Sequence, residues 1–310
     1  MDLSIVASMY HSESYLTAFY ERITRVADEV AHDYEIILVN DGSPDKSLDV
    51  ALSLQEKDPR LVVIDLSMNF GHHKAMMTGL DHAKGELVFL IDCDLEEQPE
   101  WLEKFYRKFK ASEADVVYGV QAQRQGGFWE RFTGVIYWWT FNFLSSHKIP
   151  ANMLSARLMT RRYVRQLVKH KENELDISGI WQITGFVQLP IVVNKNSKNT
   201  STYTLKRKLV LTVRSITGFS NKPLIYIAFL GMIVLIISFL FFLYIMIVYL
   251  FVGKPPSGFT STILSIWFLG GLILFSIGIV AIYLSVIFVE TKKRPYTIIR
   301  QIYSRTANEK

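Results

Sequence analysis

Asp92-Cys93-Asp94 closes the apolar run Leu87–Ile91 and leads into Leu95-Glu96-Glu97-Gln98-Pro99-Glu100. Two carboxylates at i and i+2, where a strand becomes a loop, can turn toward one ion, and Glu96 adds a third oxygen donor. Such an all-oxygen set suits Mg2+ or Mn2+, which commonly complete their shells with substrate phosphates. A lone D-x-D triplet is more often an ordinary acidic turn. Here a second acidic motif ends another apolar run, which strengthens the metal reading. That motif is Asn40-Asp41-Gly42-Ser43-Pro44-Asp45, whose Gly42 and Pro44 mark a turn. Its bland reading is a simple strand-to-helix connection. Its functional reading places Asp41 at the same sheet edge as Asp92, where a carboxylate can accept hydrogen bonds from a base or ribose. No G-x-G-x-x-G follows the first strand and no G-x-x-x-x-G-K-[ST] occurs, so neither a dinucleotide fold nor a P-loop is supported. His72 and His73 are adjacent, and neighbours on a helix do not share a face, which argues against a metal pair. The single cysteine, Cys93, excludes an intramolecular disulfide and a cysteine-based zinc site and reads as a small packing residue. Arg124 and Arg131 flank Gly126-Gly127 and read as solvated arginines or as part of an acceptor-side loop.

Residues 1–120 supply the elements that must position these groups. Leu3–Ser8, Glu35–Asn40, Leu61–Asp65 and Leu87–Asp92 are short, continuously apolar and β-branched, the pattern of buried parallel strands. Between them, Ser14–Ala31, Ser47–Lys57, Lys74–Ala83 and Glu100–Ser112 predict helices, with a further strand over Asp115–Gly119. Alternation of this kind predicts an α/β fold with an open, mostly parallel sheet. Ligands of such sheets sit beyond the carboxyl ends of the strands, where both acidic motifs fall.

The remainder has a different character. Phe128–Ser145 is rich in aromatic residues and reads either as a helix in a membrane interface or as a buried packing helix. Leu224–Val252 and Pro255–Val289 are uncharged runs of 29 and 35 residues. Each exceeds the ~20 residues that cross a bilayer core, so two spans are predicted and a wholly soluble or disordered chain is excluded. Residues 1–176 carry 20 Lys+Arg against 27 Asp+Glu, whereas residues 193–222 carry seven basic residues and no acid. The net charge of +5 therefore comes from basic residues that flank the spans and form no face for nucleic acid. Both termini are expected in the cytoplasm and Lys254–Thr260 outside, since Met1–Val6 does not resemble a signal peptide. Leu205–Ile216 places Leu205, Leu209, Val213 and Ile216 away from Lys206, Lys208 and Arg214, as in a helix lying on an anionic leaflet.

The ordered motifs Ser4-Ile5-Val6-Ala7-Ser8-Met9-Tyr10-His11-Ser12-Glu13, Val39-Asn40-Asp41-Gly42-Ser43, Asn69-Phe70-Gly71 and Asp92-Cys93-Asp94-Leu95 resemble those of family 2 glycosyltransferases. With two C-terminal spans, the chain resembles the polyprenyl-phosphate subgroup: dolichyl-phosphate-mannose-synthase-like enzymes and bacterial undecaprenyl-phosphate sugar transferases. The resemblance implies a GT-A-type domain over 1–200, a basic juxtamembrane segment over 201–222, two transmembrane helices over 223–289 and a basic cytoplasmic tail over 290–310. It implies that Ser8, Tyr10, Glu13, Asn40, Asp41 and His72 contact a nucleotide-diphosphate sugar. Asp92 and Asp94 would bracket its metal-diphosphate, with Glu96 where the family usually has glutamine. Ala156-Arg157-Leu158 resembles the F-R-[LA] segment, whose arginine holds phosphate, and Arg161 follows. Ser201, Tyr203, Lys206 and Arg207 fall in the segment where lipid phosphate is expected. The departures are Ser8 for a proline, His11-Ser12 for Asn-Glu, Met68 for arginine, His72 for lysine and Ser155 for an aspartate present in some members.

The implied reaction is inverting, metal-dependent transfer of a sugar to polyprenyl (undecaprenyl) phosphate at the inner membrane. Its lipid-linked product would serve cell-envelope glycan modification, such as O-antigen or lipopolysaccharide. A homo-oligomer, tetrameric as in relatives, is expected. Two other readings compete. Direct transfer to a glycolipid or growing polysaccharide usually needs more spans, and a non-enzymatic transport subunit usually buries charge in its spans, where this chain has none.

Overall fold

The computed structural model describes residues 1–121, 152–172, 177–194, 222–252 and 258–304. Phe128–Ser145, Leu205–Ile216, Arg124, Arg131, Ser201, Tyr203, Lys206, Arg207 and residues 253–257 lie outside the described residues. The described residues fall into two compact units, one holding all the strands and the other the two long apolar helices.

The first unit is built on β1 (Leu3–Met9), β2 (Tyr34–Asn40), β3 (Leu61–Leu66) and β4 (Leu87–Leu90). These strands are parallel, with Leu3 opposite both Tyr34 and Leu87 and Ile36 opposite Leu61. Every residue of β1 and β2 is buried, which is why both lack the alternation of a half-exposed strand. Helices α1 (Leu16–Val30), α2 (Ser47–Gln55) and α3 (His72–His82) make the crossovers, and α4 (Trp101–Lys110) follows β4. Ile5, Ala7, Ile36 and Leu38 share a core with Leu16, Phe19 and Ile23 of α1, Ala51 of α2 and Phe105 of α4. Each large side chain buried there contributes roughly 1.5–3 kcal/mol. Val6 and Val39 point to the other face, against α3. A Cβ on Gly79 would lie 2.5 Å from Val6 and 2.9 Å from Val39, so a glycine lets that helix approach the sheet.

β5 (Val116–Gln121), β6 (Met153–Thr160) and β7 (Gln188–Val193) extend the sheet, with α5 (Arg161–Leu167) and α6 (Ile177–Ile183) between the last two. β6 runs antiparallel to both β4 and β5, and β7 is parallel to β5. The full order is β7-β5-β6-β4-β1-β2-β3-β8. The eighth strand, β8 (Ile299–Tyr303), differs from the sequence expectation. Residues 290–310 read as a basic tail, yet Ile299–Tyr303 pairs antiparallel with β3 and closes that edge of the sheet. Its burial pattern mixes exposed and half-buried positions, as suits an edge strand, and gives little apolar signal in the sequence.

The second unit contains α7 (Lys222–Val252) and α8 (Phe259–Thr291). Both are long and apolar enough to cross a membrane. Phe229, Phe241, Leu274 and Phe288 are all more than half exposed, unlike residues of a soluble core helix.

Candidate active site

The carboxyl ends of β1, β2 and β4 bring the two acidic motifs to one edge. Ser8 near the end of β1 bonds His72 Nδ1 through its Oγ at 2.8 Å, and the other ring nitrogen of His72 lies 3.2 Å from Asp92 Oδ1. α3 begins two residues earlier than the apolar pattern predicts, and this extra half-turn carries His72 into the site. Burial alone would lower the pKa of His72. The hydrogen bond and charge of Asp92, with Glu97 and Asp41 nearby, outweigh that effect and raise it. Asp92 thus favours the protonated form of His72, the form that would pair with the first carboxylate of the D-x-D triplet.

Asp41 is almost wholly buried. Its carboxylate accepts from the backbone N–H groups of Phe70 at 2.7 Å and Gly71 at 3.0 Å, fastening the Asn40–Ser43 turn to the Asn69-Phe70-Gly71 segment. Burial raises its pKa, and the two N–H bonds oppose the rise. Gly42 has φ +59°, a conformation that favours glycine, and a Cβ there would lie 2.4 Å from Met68 C. Asn40 donates to Asp65 Oδ1 at 2.7 Å and accepts from the Ser43 N–H at 3.2 Å. Glu13 packs beside α2, donating its N–H to Asp45 and accepting weakly from the Lys46 N–H. Asp45, which the sequence reading did not single out as functional, accepts from the hydroxyls of Ser43 and Ser47. Against the effect of burial, these bonds bring its pKa down to about 2. Tyr10 is exposed at this edge, edge-on to the His11 ring.

The D-x-D loop turns sharply. Leu95 has φ 62°, uncommon for a branched residue, and Asp94 Oδ1 accepts from the Glu96 N–H at 3.0 Å. Among the described residues no three His, Cys, Asp or Glu side chains converge as a metal-holding group. The Asp92-Asp94-Glu96 set expected from the sequence is therefore not assembled as three ligands. The donor chemistry of the remaining two still fits Mg2+ or Mn2+: both are half-buried carboxylates beside a strand end, and diphosphate oxygens and water can complete the shell.

Glu97, one residue on, is the carboxylate that the sequence reading missed. It is buried and accepts from the N–H of Asp92 at 3.3 Å and from that of Ser155 in β6 at 3.0 Å. It thereby clamps the D-x-D loop to the neighbouring strand. Its only signal in the sequence is its place in an acidic run. Arg157, also in β6, is fully buried, with its guanidinium 2.9 Å from the centroid of the Trp181 ring. Burial pushes its pKa down to about 9, with the charges of Tyr163 and Glu97 acting the other way, so it is a buried cation at neutral pH. It bonds the carbonyls of Ser155 and Leu154 and is shielded from solvent.

Arg161 is separated from this group, contrary to its expected place at a phosphate. Thr160 pairs with Leu87 at the amino end of β4, while Arg157 pairs with Leu90 toward the carboxyl end. Arg161 is thus level with Glu86, six residues before Asp92, and at about 3.3 Å per residue lies ~20 Å along the sheet from it. There it donates to the Lys84 carbonyl and faces Glu86. The antiparallel run of β6 is the reason. Cys93 is buried with its thiol 3.0 Å from the Ser8 carbonyl; burial pushes it up to about 12, as for an inert packing residue.

The sequence profile of Glycosyl transferase family 2 matches residues 4–168, which span every element of this site from β1 through β6. The chain belongs to that family. The glycosyltransferase is 52% identical over 303 residues to a Mycobacterium tuberculosis protein named as a glycosyltransferase, covering 98% of this chain and 89% of the other. It is 32% identical over 305 residues to the SfII prophage-derived bactoprenol glucosyl transferase of Shigella flexneri, covering 97% and 98% of the two chains. The fold of the glycosyltransferase is GT-A-like. It resembles the crystal structure of glucosyl-3-phosphoglycerate synthase from Mycobacterium tuberculosis, with a TM-score of 0.50 at 13% identity over 70% of this chain and 76% of that one.

Proposed function

We propose that this glycosyltransferase moves a sugar from a nucleotide-diphosphate sugar to a polyprenyl phosphate, undecaprenyl phosphate in bacteria, at the cytoplasmic face of the inner membrane. The observation that carries the reading is alignment with a bactoprenol glucosyl transferase over 97% of the chain, both apolar helices included. A second observation supports its topology. β1–β7 precede the two apolar helices and β8 follows them, yet all eight strands belong to one sheet. Two crossings return the chain to the side it left, whereas one would not.

The carboxyl-end edge receives the donor. The Asn40–Ser43 turn and Tyr10 bind the nucleotide, and Asp92 and Asp94 hold Mg2+ or Mn2+ at the diphosphate. When bound, the ion supplies Lewis-acid stabilisation of the charge that develops on the leaving diphosphate. His72, when protonated, adds positive charge to the same side, and Glu97 keeps the D-x-D loop against β6. The acceptor phosphate, with a second pKa of about 6, is already largely a dianion at neutral pH. No strong general base is then required, which accords with Ser155 where some relatives carry aspartate. In-line attack inverts the anomeric centre, and positioning and electrostatics carry catalysis. Lys206 and Arg207 remain the proposed contacts for the acceptor phosphate, and the lipid-linked sugar would then feed envelope glycan modification.

Membranes containing the protein, supplied with a panel of nucleotide sugars and undecaprenyl phosphate, should yield a lipid-soluble, mild-acid-labile sugar product from one donor. Nucleotide release only with a glycolipid or polysaccharide acceptor would replace this reading with direct transfer. Topology is tested separately in a Cys93→Ser background. A cysteine introduced at Gly258 should react with an impermeant thiol reagent from the periplasmic side, and one at Ser304 should not. Labelling of both from outside would overturn the cytoplasmic assignment.

A further inference from the structure

The strand that follows the second apolar helix is fastened to the scaffold of the donor site. Arg300 in β8 donates from Nη1 to Asp65 Oδ2 at 2.9 Å and from Nη2 to the Ser67 carbonyl at 2.8 Å. Asp65 is only 1% exposed, and its other oxygen accepts from Asn40 Nδ2 at 2.7 Å. Asn40 in turn accepts from the Ser43 N–H at 3.2 Å. An unbroken line of hydrogen bonds therefore runs from Arg300 to the backbone of the Asn40–Ser43 turn.

A second route joins the same two places. The Ser67 N–H donates to the Ile298 carbonyl at 2.9 Å while Arg300 holds the Ser67 carbonyl, so residue 67 is gripped on both sides. The next residues form the wall against which Gly42 sits: a Cβ there would meet Met68 C at 2.4 Å and Asn69 N at 2.6 Å. Just before β8, Thr297 Oγ1 lies 3.0 Å from Thr78 Oγ1 in α3, the helix whose first residue is His72.

An exposed ion pair contributes little to stability. This one is asymmetric: the arginine is half exposed, but the carboxylate is buried and its charge needs a partner beyond one amide. Among the described residues, loss of Arg300 would leave the Asp65 carboxylate with Asn40 alone and free the Ser67 carbonyl from Arg300, and both changes fall on groups that set the turn.

We propose that Arg300 is a positioning residue for the donor site. Through Asp65 and Ser67, the segment made after the membrane helices sets the geometry of the nucleotide-binding turn. The inference rests on the reading of the Asn40–Ser43 turn as part of the donor site. Its consequence is that the donor site is complete only in a chain whose end has returned to the sheet.

The test uses the full-length protein in membranes, with UDP-glucose and undecaprenyl phosphate as probes. Arg300→Ala should raise the KM for UDP-glucose by about tenfold, with kcat within about twofold and the KM for undecaprenyl phosphate unchanged. Arg300→Lys should recover most of the loss, since an ammonium group can still face Asp65. Hydrogen exchange in the absence of donor should quicken over residues 40–46 and 67–71 in Arg300→Ala and stay at the wild-type rate in β4. That measurement decides the matter even if UDP-glucose is not turned over. Unchanged exchange in those segments overturns the proposal. So does a fall in kcat alone, with Lys no better than Ala, which marks a role in folding only. Asp41→Asn separates the two readings. If it raises the donor KM and Arg300→Ala does not, the positioning role fails; if it leaves the donor KM untouched, the turn is not in the donor site.

Discussion

Asp94→Asn is expected to reduce turnover by about 10^2- to 10^3-fold, the scale of losing one group that stabilises transition-state charge. The substitution keeps the shape of the side chain and an oxygen to accept the Glu96 N–H, now 3.0 Å from Asp94 Oδ1. The protein should therefore stay folded and membrane-bound, with a melting temperature within a few degrees of wild type. What it loses is negative charge, which a hard divalent ion needs from its ligands. Transfer of radiolabelled sugar to undecaprenyl phosphate, followed across a titration of Mg2+ and Mn2+, measures the effect. Turnover near wild type at ordinary ion concentrations would refute the metal role. Glu96→Gln should be mild by comparison, because the family usually carries glutamine at that position.

Glu97→Ala should be the most destabilising single change at the site. It deprives the N–H groups of Asp92 and Ser155 of their acceptor and removes a negative charge that favours the buried Arg157 cation. Removing one member of a buried charge group costs about 3–5 kcal/mol, since the remaining ion is left uncompensated. For a domain of this size the melting temperature should fall by about 10 °C. Glu97→Gln, which keeps one acceptor oxygen, should fall less far yet lose activity as the D-x-D loop loosens. Thermal unfolding in detergent alongside single-turnover kinetics distinguishes the two effects. An alanine variant that melts and turns over like wild type would show that the loop holds its place without Glu97.

Much of the architecture is legible in the chain itself. β1 to β4 sit in a doubly covered sheet, so their continuous apolar runs mark them without tertiary information, and the acidic residues at the ends of β2 and β4 mark the ligand edge. The two long uncharged runs appear as α7 and α8, because bilayer thickness sets a length that ordinary core helices seldom reach. These are local properties, written in consecutive residues.

Tertiary structure decided what depends on direction, parity and distance along the chain. β6 enters antiparallel, so Arg157 and Arg161, four residues apart, end at different levels of the sheet. Glu96 and Glu97 are chemically alike and adjacent, but only Glu97 is buried, where it clamps the D-x-D loop to β6. The sequence marks Arg157 through its resemblance to a phosphate-binding segment, but its burial against Trp181 is set by tertiary packing. Arg300 meets Asp65 across 235 residues, with both apolar helices between them in the chain. No periodicity records such a contact, since an edge strand carries only a faint apolar pattern and its pairing depends on where the intervening helices return it.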